Sequence, residues 1–325
     1  GTRVGLSNEG NCVGPDRAAQ GGPETLAWTP PLPAGQLGDD SFRKAHGTRF
    51  AYYAGAMANG IASEDMIIAL GKEGLLGSFG AAGLLPARVR EAISRIQTEL
   101  PEGPYAFNLI PSPNEPALER ECVELYLAHG VRCAEAAAYL DLTPQVVLYR
   151  VAGLGLNREN RIEIKNRLIA KVSRKEVAAK FMEPAPPRLL QALLEQGRIT
   201  EEQVRLAGRV PMADDITAEA DSAGHTDNRP MLALLPSILA LRDEIQEKYG
   251  YEKPVRVGAA GGIGTPTAAL AAFIMGAAYV VTGSINQGCV ESGASAHTKA
   301  LLAEADMADV MMAPAADMFE MGVRV

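Results

Sequence analysis

The sequence of 325 residues predicts an α/β fold, a (β/α)8 TIM barrel, and three observations carry that prediction. The run Val255-Arg256-Val257-Gly258-Ala259-Ala260-Gly261-Gly262-Ile263-Gly264, followed by Tyr279-Val280-Val281-Thr282-Gly283-Ser284, reads as two consecutive buried strands, each ending in a glycine-rich phosphate cradle. Paired loops after the last two strands are where such barrels commonly hold a phosphate. From Thr48 onward, strand-like and helix-like stretches alternate, which predicts a parallel sheet. The length and a hydrophobic content of 47% suit one barrel with appendages. The first functional expectation is therefore a phosphorylated ligand, in the role of cofactor.

The elements follow in chain order. Residues 1–45 are rich in Gly, Pro and Asn, hold the only Trp (Trp28) and include Trp28-Thr29-Pro30-Pro31-Leu32-Pro33, so they are expected to form an irregular arm. Residues 46–300 are expected to form the barrel. Phe50 to Ala56 reads as its first strand, and Ser63, followed by Glu64 and Asp65, caps a helix running to Lys72 that stops near Gly74. Leu75 to Phe79 is the next strand, Arg88 to Leu100 a helix and Tyr105 to Ile110 the third strand. Val131 to Ala137, Val146 to Val151 and Leu168 to Val172 are further strand candidates, the middle one equally readable as helix. Residues 173–210 exceed an ordinary barrel connection. A Pro184-Ala185-Pro186-Pro187 break precedes the amphipathic run Leu189 to Gln196, and Thr200 caps a helix from Glu201. Such an insertion before the sixth strand is expected to shape access to the site. Between the last two strands, Thr265 caps a helix, Pro266 fits its first turn and Gly276 ends it. Ala296 to Ala308 reads as helix, and residues 301–325, ending in Gly322-Val323-Arg324-Val325, as the start of a truncated C-terminal subdomain.

A net charge of −8 argues against nucleic acid as a partner. The four cysteines, Cys12, Cys122, Cys133 and Cys289, show neither disulfide nor zinc spacing, so no metal is expected and a reducing compartment is. No apolar run approaches membrane-spanning length and no signal-peptide core is seen, which predicts a soluble, cytoplasmic protein.

The segment Ile216-Thr217-Ala218-Glu219-Ala220-Asp221-Ser222-Ala223-Gly224-His225-Thr226-Asp227 precedes the seventh strand. Its small residues let the backbone turn tightly and bring the His225 imidazole to the barrel mouth, where it can hydrogen-bond or transfer a proton near neutral pH. His46, His129 and His297 have no comparable setting and read as structural.

Taken in order, Ala56-Met57-Ala58-Asn59-Gly60-Ile61, Phe107-Asn108-Leu109, Ser222-Ala223-Gly224-His225, Ala260-Gly261-Gly262-Ile263 and Thr282-Gly283-Ser284 resemble the nitronate monooxygenase and flavin-dependent enoyl reductase superfamily. Within it the chain looks most like the PfaD group, the trans-acting enoyl reductases of polyunsaturated fatty acid and polyketide synthases. That resemblance covers residues 28–325. It rests also on Gly77-Ser78-Phe79-Gly80-Ala81-Ala82-Gly83, Phe181-Met182-Glu183-Pro184-Ala185-Pro186 and the long Asp214 to His225 block. It departs where the superfamily's Ala-Gly-Gly-His is Ser222-Ala223-Gly224-His225, and members of the group extend past residue 325. The resemblance implies an FMN-bound barrel that takes hydride from NADPH and passes it to the β-carbon of a 2,3-enoyl thioester on an acyl carrier protein.

With that implication, each residue type can be given a role. N–H groups at Gly261, Gly262, Gly283 and Ser284, with the Ser284 hydroxyl, would neutralise the FMN phosphate without an arginine. Ala56 and Met57 would lie against the isoalloxazine, although Met57 reads equally as core. Asn108 would pair with the donor and acceptor edge of the flavin pyrimidine, the alternative being a turn-forming Asn. Lys171 would stabilise the charge of the reduced ring, the alternative being a solvated side chain. His225 is the expected catalytic residue, with His225 and water both open as the source of the α-carbon proton.

Gly283-Ser284-Ile285 is similar to the nucleophile loop of IMP dehydrogenase, but Asn286 stands where the cysteine would be, so Cys289 is not expected to be a nucleophile. There is no Gly-x-Gly-x-x-Gly fingerprint, so NADPH is expected to bind over the flavin and not in a Rossmann domain. Between Arg158 and Lys180 eight basic residues face three acidic ones, an island that would attract an acidic carrier protein, or else a solvated helix face. A homo-oligomer is compatible with the sequence and not specified by it. The alternatives to an enoyl reductase are a nitronate monooxygenase-type flavin oxidoreductase and a non-catalytic scaffold that docks a synthase.

Overall fold

The computed structural model describes residues 4–7, 12–13, 25–29 and 32–314, Ser222 excepted. Ahead of the barrel, β1 (Val4–Ser7), β2 (Cys12–Val13) and β3 (Thr25–Thr29) pair as an antiparallel sheet in the order β2-β1-β3. The arm is therefore less irregular than its Gly and Pro content predicts, because composition reports local turns and not the distant strand that a short segment pairs with. Pro30 and Pro31 lie outside the described residues. Helix α1 (Asp40–His46), capped by Asp39 accepting from the Ser41 N–H, belongs to the barrel and not to the arm. Phe42 is fully buried, stacks on Tyr279 at 4.4 Å, and closes the N-terminal end of the barrel.

The barrel strands are β4 (Tyr52–Ala54), β5 (Leu76–Phe79), β6 (Ala106–Leu109) and β7 (Cys133–Ala136), then, after a small hairpin, β10 (Arg167–Val172), β11 (Asp215–Glu219), β12 (Arg256–Ala260) and β13 (Val280–Thr282). The hairpin is β8 (Leu154–Leu156) and β9 (Ile162–Ile164), on the chain entering β10. All eight barrel strands pair in parallel, and β13 against β4 and β7 against β10 complete the closure. Between them run α2 (Glu64–Lys72), α3 (Pro86–Glu99), α4 (Pro116–Ala128), α5 (Pro144–Ala152), α6 (Lys175–Met182), α7 (Pro187–Glu195), α8 (Glu201–Ala207), α9 (Met231–Tyr249) and α10 (Pro266–Ile274). Beyond β13 come α11 (Ser284–Gln287) and α12 (Ala296–Glu304).

Local chemistry starts these helices. Ser63, Thr143, Thr200, Thr265 and Ser295 each accept from a backbone N–H of the first turn, and α3, α4, α5, α7 and α10 carry Pro at their start. The Thr143 cap and Pro144 decide the Val146 to Val151 stretch, which is helix. The α-helix that begins at Ala296 ends at Glu304, short of the expected Ala308, because Ala305 is extended. Residues 315–325, with the Gly322 to Val325 tail, lie outside the described residues.

Alternation along each strand sorts the core into two parts. Tyr53, Leu76, Ala106, Cys133, Ile169, Tyr279 and Val281 fill the barrel, while Phe79, Phe107, Ala134, Leu168, Ile216, Val257 and Val280 pack outward in the core shared with the helices. The insertion precedes the sixth barrel strand, β11, as expected, but its helices do not line the mouth. Helix α6 is an ordinary barrel helix on β10 and β11, and α7 and α8 pack against α5, with α8 also on β8. They lie on the chain returning to the N-terminal end of β11, so they buttress the flank and leave the mouth open. No helix among the described residues is long and apolar enough to cross a membrane.

Candidate active site at the barrel mouth

Parallel strands deliver their C-terminal ends to one face, so residues far apart in sequence meet there. At the inward positions nearest that face stand Glu135 on β7, Lys171 on β10 and Glu219 on β11. Lys171 Nζ lies 2.9 Å from Glu219 Oε1 and 3.6 Å from Glu135 Oε1. The Ala56 N–H donates to Glu135 Oε2 at 3.1 Å. Both carboxylates are buried, and the Lys171 side chain is 12% exposed. Burial opposes the ammonium, but Glu219 and Glu135 more than offset it and hold the Lys171 pKa above its ordinary value. Glu219 Oε2 is buried without a hydrogen-bond partner among the described residues. A buried acceptor of this kind lacks a donor that a ligand can bring. Lys171 is thus placed inside the barrel, which excludes the solvated reading.

Asn108 on β6 is also buried. Its Nδ2 donates to the Glu135 carbonyl at 3.3 Å, and its own carbonyl accepts from the Tyr126 hydroxyl at 2.6 Å. It is a strand residue, not a turn. Ala56 and Met57 follow β4 in a loop that locks onto the next one: a Cβ on Gly80 would lie 1.7 Å from the Met57 carbonyl oxygen. Gly55, just before them, has room for a Cβ only 3.1 Å from Val281 and 3.8 Å from Lys171 Nζ.

The two glycine loops leave adjacent strands, since Ala260 pairs with Val281. Gly261 and Gly262 have φ of +98° and +69°, a conformation costly for other residues. Gly262, Gly283 and Ser284 are exposed at the mouth, and the loops touch where Gly264 approaches Ile285. His225 lies in the loop after β11, half-buried, with Nε2 shielded from solvent. Thr226 Oγ1 donates to the Glu219 carbonyl at 3.0 Å, and Asp227 accepts from Arg174 at 2.7 and 2.6 Å and from Ser173 at 2.6 Å. The imidazole is therefore carried on a segment pinned to β11 and to the loop after β10. Ser222 of the same block lies outside the described residues.

All nine candidate residues, Ala56, Met57, Asn108, Lys171, His225, Gly261, Gly262, Gly283 and Ser284, come to this one face. Glu135 and Glu219 escaped the sequence reading. Their signal was an isolated carboxylate in each of two otherwise small or apolar strand ends, Cys133-Ala134-Glu135-Ala136 and Ile216-Thr217-Ala218-Glu219. The basic island does not exist as one surface. Arg158, Arg161 and Lys165 lie around the β8–β9 hairpin at the opposite end, where Arg161 and Lys165 pair with Glu159 and Glu163. Lys171 is inside the barrel, Arg174 holds Asp227, and Lys180 lies 3.0 Å from Asp141. Among the described residues no group of side chains is arranged to hold a metal ion.

A family model described as nitronate monooxygenase matches residues 42–320. The chain is 53% identical over 297 residues to a polyunsaturated fatty acid synthase polypeptide of Thraustochytrium sp., covering 91% of this chain and 20% of that protein. It is 45% identical over 295 residues to polyketide biosynthesis protein PksE of Bacillus subtilis, covering 90% of this chain and 38% of that one. The chain thus spans well under half the length of either relative. Among solved structures, the enoyl reductase domain of MlnA from the macrolactin biosynthesis cluster of Bacillus amyloliquefaciens superposes with a TM-score of 0.86 at 41% identity, over 90% of this chain and 66% of that one. FabK from Thermotoga maritima, at 20% identity, shares the fold with a TM-score of 0.61.

Proposed function

Since the chain belongs to the nitronate monooxygenase family, we propose that it is an FMN-dependent enoyl reductase that acts in trans, with NADPH, on enoyl thioesters carried on an acyl carrier protein in polyketide or polyunsaturated fatty acid biosynthesis. The observation that carries this reading is the likeness to the MlnA enoyl reductase domain over 90% of the chain.

The residues at the mouth fit FMN. The positive-φ glycines leave the first cradle without side chains, and the buried Glu219 Oε2 lacks a donor. Gly261, Gly262, Gly283 and Ser284 would hold the phosphate, and Ala56, Met57, Asn108 and Lys171 the ring. When bound, FMN supplies hydride transfer from NADPH to the β-carbon of the enoyl thioester. The protein's own contribution is charge and orientation. Lys171, fixed by two carboxylates, keeps a positive charge at the barrel axis where negative charge accumulates during reduction. His225 donates a hydrogen bond to the thioester carbonyl oxygen, which gains charge as hydride reaches the β-carbon, and a proton from His225 or water completes the α-carbon.

The test is an anaerobic visible spectrum. A flavin spectrum that NADPH bleaches and a 2-enoyl thioester restores is the expected result. Oxygen uptake with a nitronate, and no reaction with enoyl thioester, would assign the family's other chemistry. A colourless protein that takes up no FMN would favour a docking scaffold.

A further inference from the structure

Beside the mouth, between the loops after β10 and β11, lies a cavity of about 530 Å³ that none of the residues assigned to FMN lines. Its cations are Arg174, Lys175 and Arg229, its hydroxyls Ser173 and Ser237, and Ala233 with the buried Leu234 provides an apolar wall. Two carboxylates also line it. Asp227 is consumed by the wall itself, since Arg174 Nε and Nη2 and Ser173 Oγ donate to its two oxygens. Donation from Arg174 and Ser173, together with the nearby charges of Arg174 and Arg229, holds its carboxyl below the ordinary range against the opposing effect of burial. Glu176 is exposed. Among the described residues neither Lys175 nor Arg229 takes part in a salt bridge, and α6 begins here without a side-chain cap. An ammonium, a guanidinium and hydroxyl donors above an apolar wall match a phosphate ester whose organic part is partly apolar.

We propose that this cavity is a second phosphate site, separate from the glycine loops, which binds the phosphate ester of a substrate or of the reductant. Only the choice of phosphate rests on the reductase reading, within which there are two sources: the phosphopantetheine arm of a carrier protein and the 2′-phosphate of NADPH. Either would lie against the Arg174–Asp227 wall that also pins the His225 loop, so the site positions what it binds beside the mouth.

The test is calorimetric titration of the FMN-supplemented protein and of the Lys175→Ala/Arg229→Ala variant with two matched pairs: 4′-phosphopantetheine against pantetheine, and 2′,5′-ADP against 5′-AMP. In the unaltered protein the phosphorylated member of one pair should bind roughly tenfold tighter or more, and the variant should erase that preference. Preference within the first pair assigns the site to the carrier arm; preference within the second assigns it to the dinucleotide. No preference in either pair, or one that survives in the variant, overturns the proposal. Because binding is read directly, a protein that shows the preference but reduces no enoyl thioester retains the site and loses the reductase reading instead.

Discussion

Lys171 is held between two carboxylates, and its removal would leave both of them buried and uncompensated. Breaking a buried ion pair by deleting one partner costs about 3–5 kcal/mol, much of it the penalty of the charge left behind. Lys171→Met should therefore lower the melting temperature substantially, and adding Glu219→Gln should recover part of the loss by removing one stranded charge. A double variant no more stable than the single one would show that the three groups are not coupled. Because the Lys171 pKa is raised, its contribution is fully present below the ordinary lysine pKa and is lost only as pH rises through the folded value. The difference between unaltered protein and variant should accordingly be flat from neutral pH into the mildly alkaline range. His225 calls for a different readout. His225→Ala should lower kcat/KM for enoyl thioester by about 10²-fold, the scale of a lost acid–base or oxyanion contact, while leaving the FMN dissociation constant unchanged. Equal losses in both would mean that the residue shapes the loop and does not touch substrate.

At the scale of elements, legibility followed locality. Each cap signal lies within three residues of the helix it starts, so Ser63, Thr200 and Thr265 were readable in the sequence and found in place. Helix α5 was ambiguous because a short run of β-branched residues suits either state, until Thr143 and Pro144 are taken as a cap and a first turn. The position of α7 and α8 was not legible at all. Their amphipathic pattern says that one face is buried but not against what, and they pack on α5 away from the mouth. Thr200→Ala, which removes the capping box with Gln203, should cost about 1 kcal/mol of stability and leave every kinetic constant unchanged. A changed KM would mean that the insertion reaches the site after all.

At the scale of the whole molecule, the barrel is closed at one end by charge and open at the other for chemistry. At the floor, Asp215 receives Arg256 Nε at 2.5 Å and Nη2 at 2.8 Å, and His46 Nε2 lies 2.8 Å away. Burial alone would raise the Asp215 pKa, but Arg256 and His46 hold it well below the ordinary carboxylate range. A carboxyl lowered on folding contributes stability that is complete above its unfolded pKa and is lost as pH falls toward the folded value. Asp215→Asn should thus destabilise the protein by about 3–5 kcal/mol at neutral pH. Its stability should also fall less steeply on acidification below about pH 4, which acid-unfolding curves would show. A variant with the unaltered protein's acid sensitivity would place that sensitivity elsewhere. The sequence by itself determined the alternating units, the two glycine loops and the residue types at strand ends, because strand period, capping and positive-φ turns depend only on neighbours along the chain. Only the tertiary structure decided that Glu135, Lys171 and Glu219 form one charged group, that the basic run is scattered over two ends and the interior, and that α1 is a floor. Those facts depend on which strands become adjacent when the sheet closes, and closure joins residues that no local pattern connects.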